Sequence, residues 1–276
     1  MEHDPLPFEL ADAAPRACIG VFDSGVGGLS VLRALRAALP GTSMVYIGDV
    51  AHAPYGARPA VEVIERSMRM AEVLIGHGAR LIVVACNTAT VLAIEALRAR
   101  WPERAFVGVE PGIKPAAARS RSKRIAVMAT AATVASLRLR HLIERYAADG
   151  QVHLQACPGL ADAIERGVLD GPALVEVLRG PCDAIRAAGV DTVVLGCTHY
   201  PFVEGPIRAL LGEHVTLIDT ASAIAARTGA LWEQSLPLFE PSPTMHALST
   251  GETATMRMLL RQCPGLAETE VETVAA

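Results

Sequence analysis

The chain has 276 residues, 51% hydrophobic, 20% charged and only 4% aromatic, with a formal net charge of -4. That length accommodates one large or two medium domains, and the apolar content excludes a disordered chain. The acidic balance argues against nucleic acid or an anionic membrane as partner, and so few aromatic rings leave little for base stacking. A small ligand is the remaining class of partner.

Along the chain, residues 1–17 are rich in proline and alanine without periodicity and read as a flexible N-terminal extension. Their acid and prolines stand where a secretion signal carries a basic segment and an apolar run, and no later apolar run is long enough to span a membrane. A cytoplasmic protein with reduced thiols is therefore expected, since Cys18, Cys86, Cys157, Cys182, Cys197 and Cys263 form no C-x-x-C pair. The apolar run 17–22 predicts a strand, 31–39 a helix stopped by Pro40-Gly41, and 43–47 a second strand. A long amphipathic helix is predicted over about 60–77, then a strand up to Cys86 and a helix to Arg100. Strands alternating with helices of this length imply βαβ units and a mostly parallel sheet.

Residues 107–115 hold two prolines and a glycine after a strand-like run, which suits a crossing between domains. The strand pattern at 124–130 and a helix predicted over 133–146 then restate the opening. Phe22-Asp23-Ser24 and Met128-Ala129-Thr130 lie 106 apart, and Cys86 and Cys197 lie 111 apart. This near-constant offset predicts two similar α/β domains, pseudo-twofold related, with mostly parallel sheets flanked by helices and the active site in the cleft between them. Residues 18–113 with 220–276 make the first domain and 114–219 the second. A helix is predicted over about 220–233, the segment 245–263 is expected to return to the first domain, and the last dozen residues are expected to fray.

Two stretches carry the chemistry. Residues 81–86 and 192–197 are short β-branched and aliphatic runs that each end at a cysteine followed by small hydroxyl or amide residues. Ligands of open α/β sheets bind beyond the carboxyl ends of the strands, so both thiols sit where a substrate would. A lone strand-end cysteine reads first as a small core hydrophobe, but two at matched positions of a repeat reverse that preference. Asn87, Thr88, Thr198 and Ser24 offer neutral donors to a carboxylate, Asp23 a negative partner for an ammonium, and His199 a proton. Each hydroxyl or amide, taken singly, also reads as an ordinary helix cap.

In order and spacing, Asp23-Ser24-Gly25-Val26-Gly27-Gly28, Gly48-Asp49 with Pro54-Tyr55-Gly56, Ala85-Cys86-Asn87-Thr88-Ala89 and Gly196-Cys197-Thr198-His199-Tyr200-Pro201 resemble the motifs of the glutamate racemases. The resemblance runs from about residue 19 to 260. It implies no cofactor, glutamate as the small-molecule partner, and a two-base reaction in which Cys86 and Cys197 act on opposite faces of the α-carbon. It also implies a role in supplying D-glutamate for peptidoglycan. By matching positions, Asp23, Ser24, Tyr55, Gly56, Asn87, Thr88, Thr198 and His199 would contact the amino acid, with Asp49, Thr130 and Glu165 in supporting positions. The helix after Thr130 departs from the family pattern, and a homodimer is left open. Aspartate racemases share the paired-cysteine plan, but more often carry Glu where this chain has His199, which favours glutamate.

Three rival chemistries fit less well. The turn Gly25-Val26-Gly27-Gly28 imitates a dinucleotide fingerprint, yet Ser30 breaks the glycine spacing and Asp23 would oppose a pyrophosphate. Cys86, Cys197 and His199 are zinc-type ligands without zinc-type spacing, so no metal is expected. A phosphatase-like nucleophile at Cys86 lacks a near arginine, the first being Arg98. A non-catalytic amino-acid-binding or regulatory protein on the same fold remains an alternative, though binding alone gives no reason for both thiols.

Overall fold

The structure, a computed structural model, describes residues 17–235 and 243–276. The extension predicted over 1–17 therefore falls outside the described residues except for Ala17, as does the Pro-rich stretch at 236–242. The order begins β1 (Cys18–Asp23), α1 (Leu29–Ala38), β2 (Met44–Gly48), α2 (Ala60–Gly76), β3 (Ala79–Val84), α3 (Asn87–Arg100) and β4 (Ala105–Gly108). It continues α4 (Ile113–Arg119), β5 (Arg124–Ala129), α5 (Ala131–Ala135), α6 (Leu137–Tyr146), β6 (Gln151–Ala156), α7 (Leu160–Glu165), α8 (Pro172–Ala187) and β7 (Thr192–Leu195). The remaining elements are α9 (Glu204–Leu211), β8 (Thr216–Ile218), α10 (Ala221–Ser235), β9 (Met245–Ser249), α11 (Ala254–Arg261) and β10 (Val271–Thr273).

The strands form two separate sheets, a six-stranded one in the order β10-β9-β2-β1-β3-β4 and a four-stranded one in the order β6-β5-β7-β8. Every pairing in both is parallel. The repeat inferred from residue offsets reappears as topology: β2-β1-β3-β4 and β6-β5-β7-β8 place their successive strands in the same order. In each sheet the chain steps to one side of the first strand and then crosses to the other. That reversal opens a crevice beyond the carboxyl ends of the first and third strands of each set, β1 with β3 and β5 with β7.

Both faces of the larger sheet are covered, as a parallel sheet requires. Helix α2 shows how the sequence arranges this: Val63, Ser67, Met70, Ala71 and Leu74 recur at helical spacing and are all buried. They meet Ile82, Val84, Ile94 and Leu97 on that face, while α1 and α10 cover the other through Leu29, Leu32, Leu35 and Trp232. Each large apolar side chain so buried contributes about 1.5–3 kcal/mol of transfer free energy. The smaller sheet is sandwiched between α7, α8 and α9 on one side, with Leu160, Leu174, Leu178 and Ile207, and α4 and α6 on the other, with Ile113 and Leu139.

Two expectations are corrected. The helix predicted over 133–146 is two helices, because Thr130 caps α5 by accepting from the Thr133 amide and Ser136 caps α6 by accepting from the Leu139 amide. A second capping hydroxyl starts a new helix where periodicity alone reads one. The last dozen residues do not fray. Val271, Glu272 and Thr273 pair with Ala247, Leu248 and Ser249 at the sheet edge, the Val274 amide donates to the Ser249 carbonyl, and Arg257 donates to the Val271 carbonyl at 2.6 Å. Strand β9 pairs with β2, so the segment after residue 243 does return to the larger sheet.

Candidate active site

Cys86 stands two residues past β3 and caps α3, its Sγ accepting from the Ala89 amide at 3.4 Å. The first amides of a helix have no intrahelical acceptor, so α3 presents Asn87 and Thr88 N–H groups and the positive end of its dipole at this point. Cys197 occupies the corresponding position past β7. Both thiols line one narrow, nearly closed cavity. The first sheet's loops contribute Ser24, Pro54, Tyr55, Gly56, Asn87 and Thr88 to its wall, and the second sheet's contribute Thr130, Ala161, Thr198 and His199. Roomier hollows lie elsewhere, one of them lined by Lys114, Tyr146 and Asp149, but it carries no thiol.

The two halves are joined at the cavity by polar contacts. The Thr88 and Thr130 hydroxyls lie 3.0 Å apart, and Ser30 donates to the Thr198 carbonyl at 2.9 Å. Ser30 is the residue that breaks the dinucleotide spacing, and its hydroxyl is what that position is used for. Gly56 lies so close to Thr130 that an added Cβ would come within 2.8 Å of the threonine Cβ.

Each thiol has its own polar partners. Cys86 Sγ faces the Ser24 hydroxyl at 3.8 Å. Beneath it Asp23 is wholly buried; Oδ2 accepts from the Gly28 amide at 2.7 Å, and Oδ1 has no partner among the described residues. Burial raises the Asp23 carboxyl above its ordinary value, and burial followed by the Asp23 charge pushes the Cys86 thiol well above its own. Cys197 Sγ lies 3.5 Å from His199 Nδ1, and His199 Nε2 lies 2.6 Å from Glu165 Oε1. Burial alone would lower the imidazole, but Cys197 and Glu165 together hold it well above its usual value.

A third cluster sits behind Tyr55, whose hydroxyl donates to Asp49 Oδ2 at 2.7 Å. Asp49 is fully buried and also receives Arg66 Nε and Nη2, both at 2.8 Å, and the Thr250 hydroxyl at 2.8 Å. Burial works to raise its carboxyl, but the bonds from Arg66, Tyr55 and Thr250 outweigh it and hold the group below the ordinary carboxylate value.

Ten of the thirteen residues singled out from sequence therefore line the cavity, while Asp23, Asp49 and Glu165 stand one layer behind it. Arg66, Pro54 and Ala161 were not foreseen. Arg66 sits on the polar side of an amphipathic helix, where an arginine gives no sequence signal until its partner Asp49 is known. Cys157, Cys182 and Cys263 are buried outside the cavity, and burial pushes Cys157 up to about 12 and Cys182 up to about 11, as expected of packing thiols. No group of three or more potential metal ligands occurs among the described residues.

Comparison with known proteins agrees with this geometry. Residues 19–228 match the Asp/Glu/hydantoin racemase family. A glutamate racemase of Ectopseudomonas mendocina is 44% identical over 246 residues, covering 89% of this chain and 94% of the relative. Among solved structures, a glutamate racemase isoform from Bacillus anthracis superposes with a TM-score of 0.83 at 31% identity, over 94% of this chain and 97% of its own. The Escherichia coli glutamate racemase, solved with L-glutamate and the activator UDP-MurNAc-ala, gives 0.81 at 32% identity, over 95% and 99%. The chain belongs to the Asp/Glu/hydantoin racemase family and, within it, to the glutamate racemases.

Proposed function

We propose that this protein interconverts L- and D-glutamate without a cofactor, using Cys86 and Cys197 as paired acid and base, and so supplies D-glutamate for peptidoglycan. One observation carries the reading: two buried thiols, from corresponding strand ends of two repeated sheets, line a single cavity. A one-step proton abstraction needs one base. Inversion at carbon needs a second group of similar strength on the opposite face.

The α-carboxylate of the substrate is received by neutral donors, among them the α3 amides and the Asn87, Thr88, Ser24 and Thr198 side chains, which stabilise negative charge as it spreads from the α-carbon. One thiolate takes the α-proton, so that the C–H bond breaks and an S–H bond forms. The opposite thiol then gives its proton to the other face of the carbanion and becomes the thiolate. The two thiols start in unequal surroundings, Cys86 beside Ser24 and Cys197 beside His199, and one thiol with one thiolate is the working state because two thiolates in one dry cavity would repel. Tyr55, anchored by Asp49, holds one wall of the cavity.

We assign residues 18–113 with 220–276 to one domain and 114–219 to the other, each carrying one of the two sheets. Glutamate rather than aspartate is the substrate, on His199 after Cys197-Thr198 and on the close relatives' activity. No helix among the described residues is long and apolar enough to cross a membrane. The purified protein is expected to racemise L- and D-glutamate with no added cofactor, with kcat/KM for aspartate lower by about 10- to 200-fold, since one methylene is worth roughly 1–3 kcal/mol. Equal rates on the two amino acids would contradict the substrate assignment.

A further inference from the structure

We propose that Tyr46 is a positioning residue for both thiols, its hydroxyl anchoring the turn 23–28, which carries polar partners of Cys86 and touches those of Cys197. The inference rests on the racemase reading and extends it. The glycines of this turn match no nucleotide fingerprint, so they serve something else.

The turn faces two ways. Toward the first thiol it carries Ser24, whose hydroxyl faces Cys86 Sγ at 3.8 Å, and Asp23, whose Oδ2 accepts from the Gly28 amide at 2.7 Å. Toward the second, the Val26 amide donates to Glu165 Oε1 at 2.9 Å, and Glu165 Oε1 in turn meets His199 Nε2. The Ser30 hydroxyl lies 2.9 Å from both the Gly27 and the Thr198 carbonyls. A Cβ at Gly25 would fall 1.8 Å from Glu165 Oε1, and one at Gly27 would fall 2.3 Å from His199 Nδ1. Glycine is therefore what lets the second half close on this turn.

Tyr46 holds the turn from the sheet. It stands in the middle of β2, with β1 on one side and β9 on the other, and is wholly buried. Its hydroxyl donates to the Gly25 carbonyl at 2.6 Å, and its ring carbon Cε2 would lie 3.1 Å from a Cβ at Gly28. A Cβ at Gly48, farther along the same strand, would fall 2.5 Å from the Gly25 carbonyl oxygen. That carbonyl is thus seated by a strand of the central sheet, and a strand places a group more precisely than a loop does. Gly25 lies between Ser24 and Val26. A shift of its carbonyl moves the Ser24 hydroxyl and the Val26 amide together, and with them the surroundings of both thiols.

The test is Tyr46→Phe in the whole protein, under conditions where denaturant unfolding shows the variant fully folded. Rates are measured in both directions, with the primary isotope effect on α-deuterated L- and D-glutamate in ordinary water. Each isotope effect reports how far proton abstraction by one thiol limits the rate. Slowing one thiol alone raises the effect for the enantiomer it deprotonates and lowers the other's, because the carbanion formed from that other enantiomer then mostly returns to starting material. Slowing both alike lowers neither.

The variant should lose about tenfold in kcat in each direction, within the range that a misplacement below about 1 Å produces, with both isotope effects at or above the parent's. A merely structural role lowers activity only in proportion to the folded fraction, which these conditions hold constant. A kcat within about twofold of the parent's, or one isotope effect rising while the other falls, would overturn the proposal while the racemase reading stands. Gly48→Ala, which crowds the same carbonyl, should reproduce the pattern, and it decides the matter if Tyr46→Phe does not fold: a parent-like kcat there would overturn the proposal as well. Absence of racemisation by the unaltered protein would remove both readings.

Discussion

Cys86→Ala and Cys197→Ala should each reduce racemisation by about 10³-fold or more, near the upper range of what one positioned acid or base contributes. Both changes should leave the fold intact. Each thiol is buried, but a buried cysteine behaves as a small hydrophobe, and removing one sulfur costs only on the order of 1 kcal/mol in a core. Loss of activity with a stability change of no more than about 1 kcal/mol therefore separates chemistry from stability. The two variants should also differ from each other, because Cys86 is backed by Ser24 and the buried Asp23, whereas Cys197 is backed by His199 and Glu165. Each retains exchange of one enantiomer's α-hydrogen, and not the same one. Near-full racemisation by either variant would contradict the two-base account.

Arg66→Met should have the largest effect on stability among single changes near the site. The guanidinium meets both oxygens of Asp49, which is wholly buried and shares its charge with the Tyr55 and Thr250 hydroxyls. Removing one partner of a buried pair leaves the other uncompensated, at a cost of about 3–5 kcal/mol. The pH dependence fixes the sign. Because Asp49 is held below the ordinary carboxylate value, its contribution is present above about pH 4 and is lost as pH falls through the folded-state value. Arg66→Met removes the main cause of that lowering, so Asp49 contributes less to the loss of stability on acidification, and the variant's deficit relative to the parent should narrow as pH falls. A second change, Asp49→Asn, made on Arg66→Met should recover part of the loss, since the stranded charge goes with it. A midpoint within 1 kcal/mol of the parent's at neutral pH would show that the cluster holds Tyr55 in place without stabilising the fold.

Much of the architecture was legible because its signals are local and repeated. Short aliphatic runs that end in small polar residues, alternating with amphipathic helices, leave few alternatives to parallel βαβ units. The matching offsets of Phe22 with Met128 and of Cys86 with Cys197 then predicted a duplicated plan, which reappears as one strand order used twice. The misses have local causes as well. Ser136 restarts a helix within one amphipathic pattern, and a terminal Val-Glu-Thr segment gains its structure only from an edge strand distant in sequence.

For the site, residues that follow strand ends were readable from position and type. Arg66 was not, since its partners, Asp49 and the Ala276 carbonyl, lie 17 and 210 residues away in the chain. Nor does sequence tell a substrate contact from a group one layer behind it. Asp23, Asp49 and Glu165 carry charge at the right places in the chain, but only the packing sets them beneath Cys86, Tyr55 and His199.

The central claim is that two thiols serve opposite faces of one carbon, and the most direct measurement is the position of deuterium at early times when the protein acts on L-glutamate in D₂O without added cofactor. Two bases predict that the D-glutamate formed carries deuterium at its α-carbon while the remaining L-glutamate stays largely protonated, with the mirror result from D-glutamate. Deuterium entering both enantiomers equally from the first turnovers, in both directions, would mean a single base serving both faces and would contradict the account.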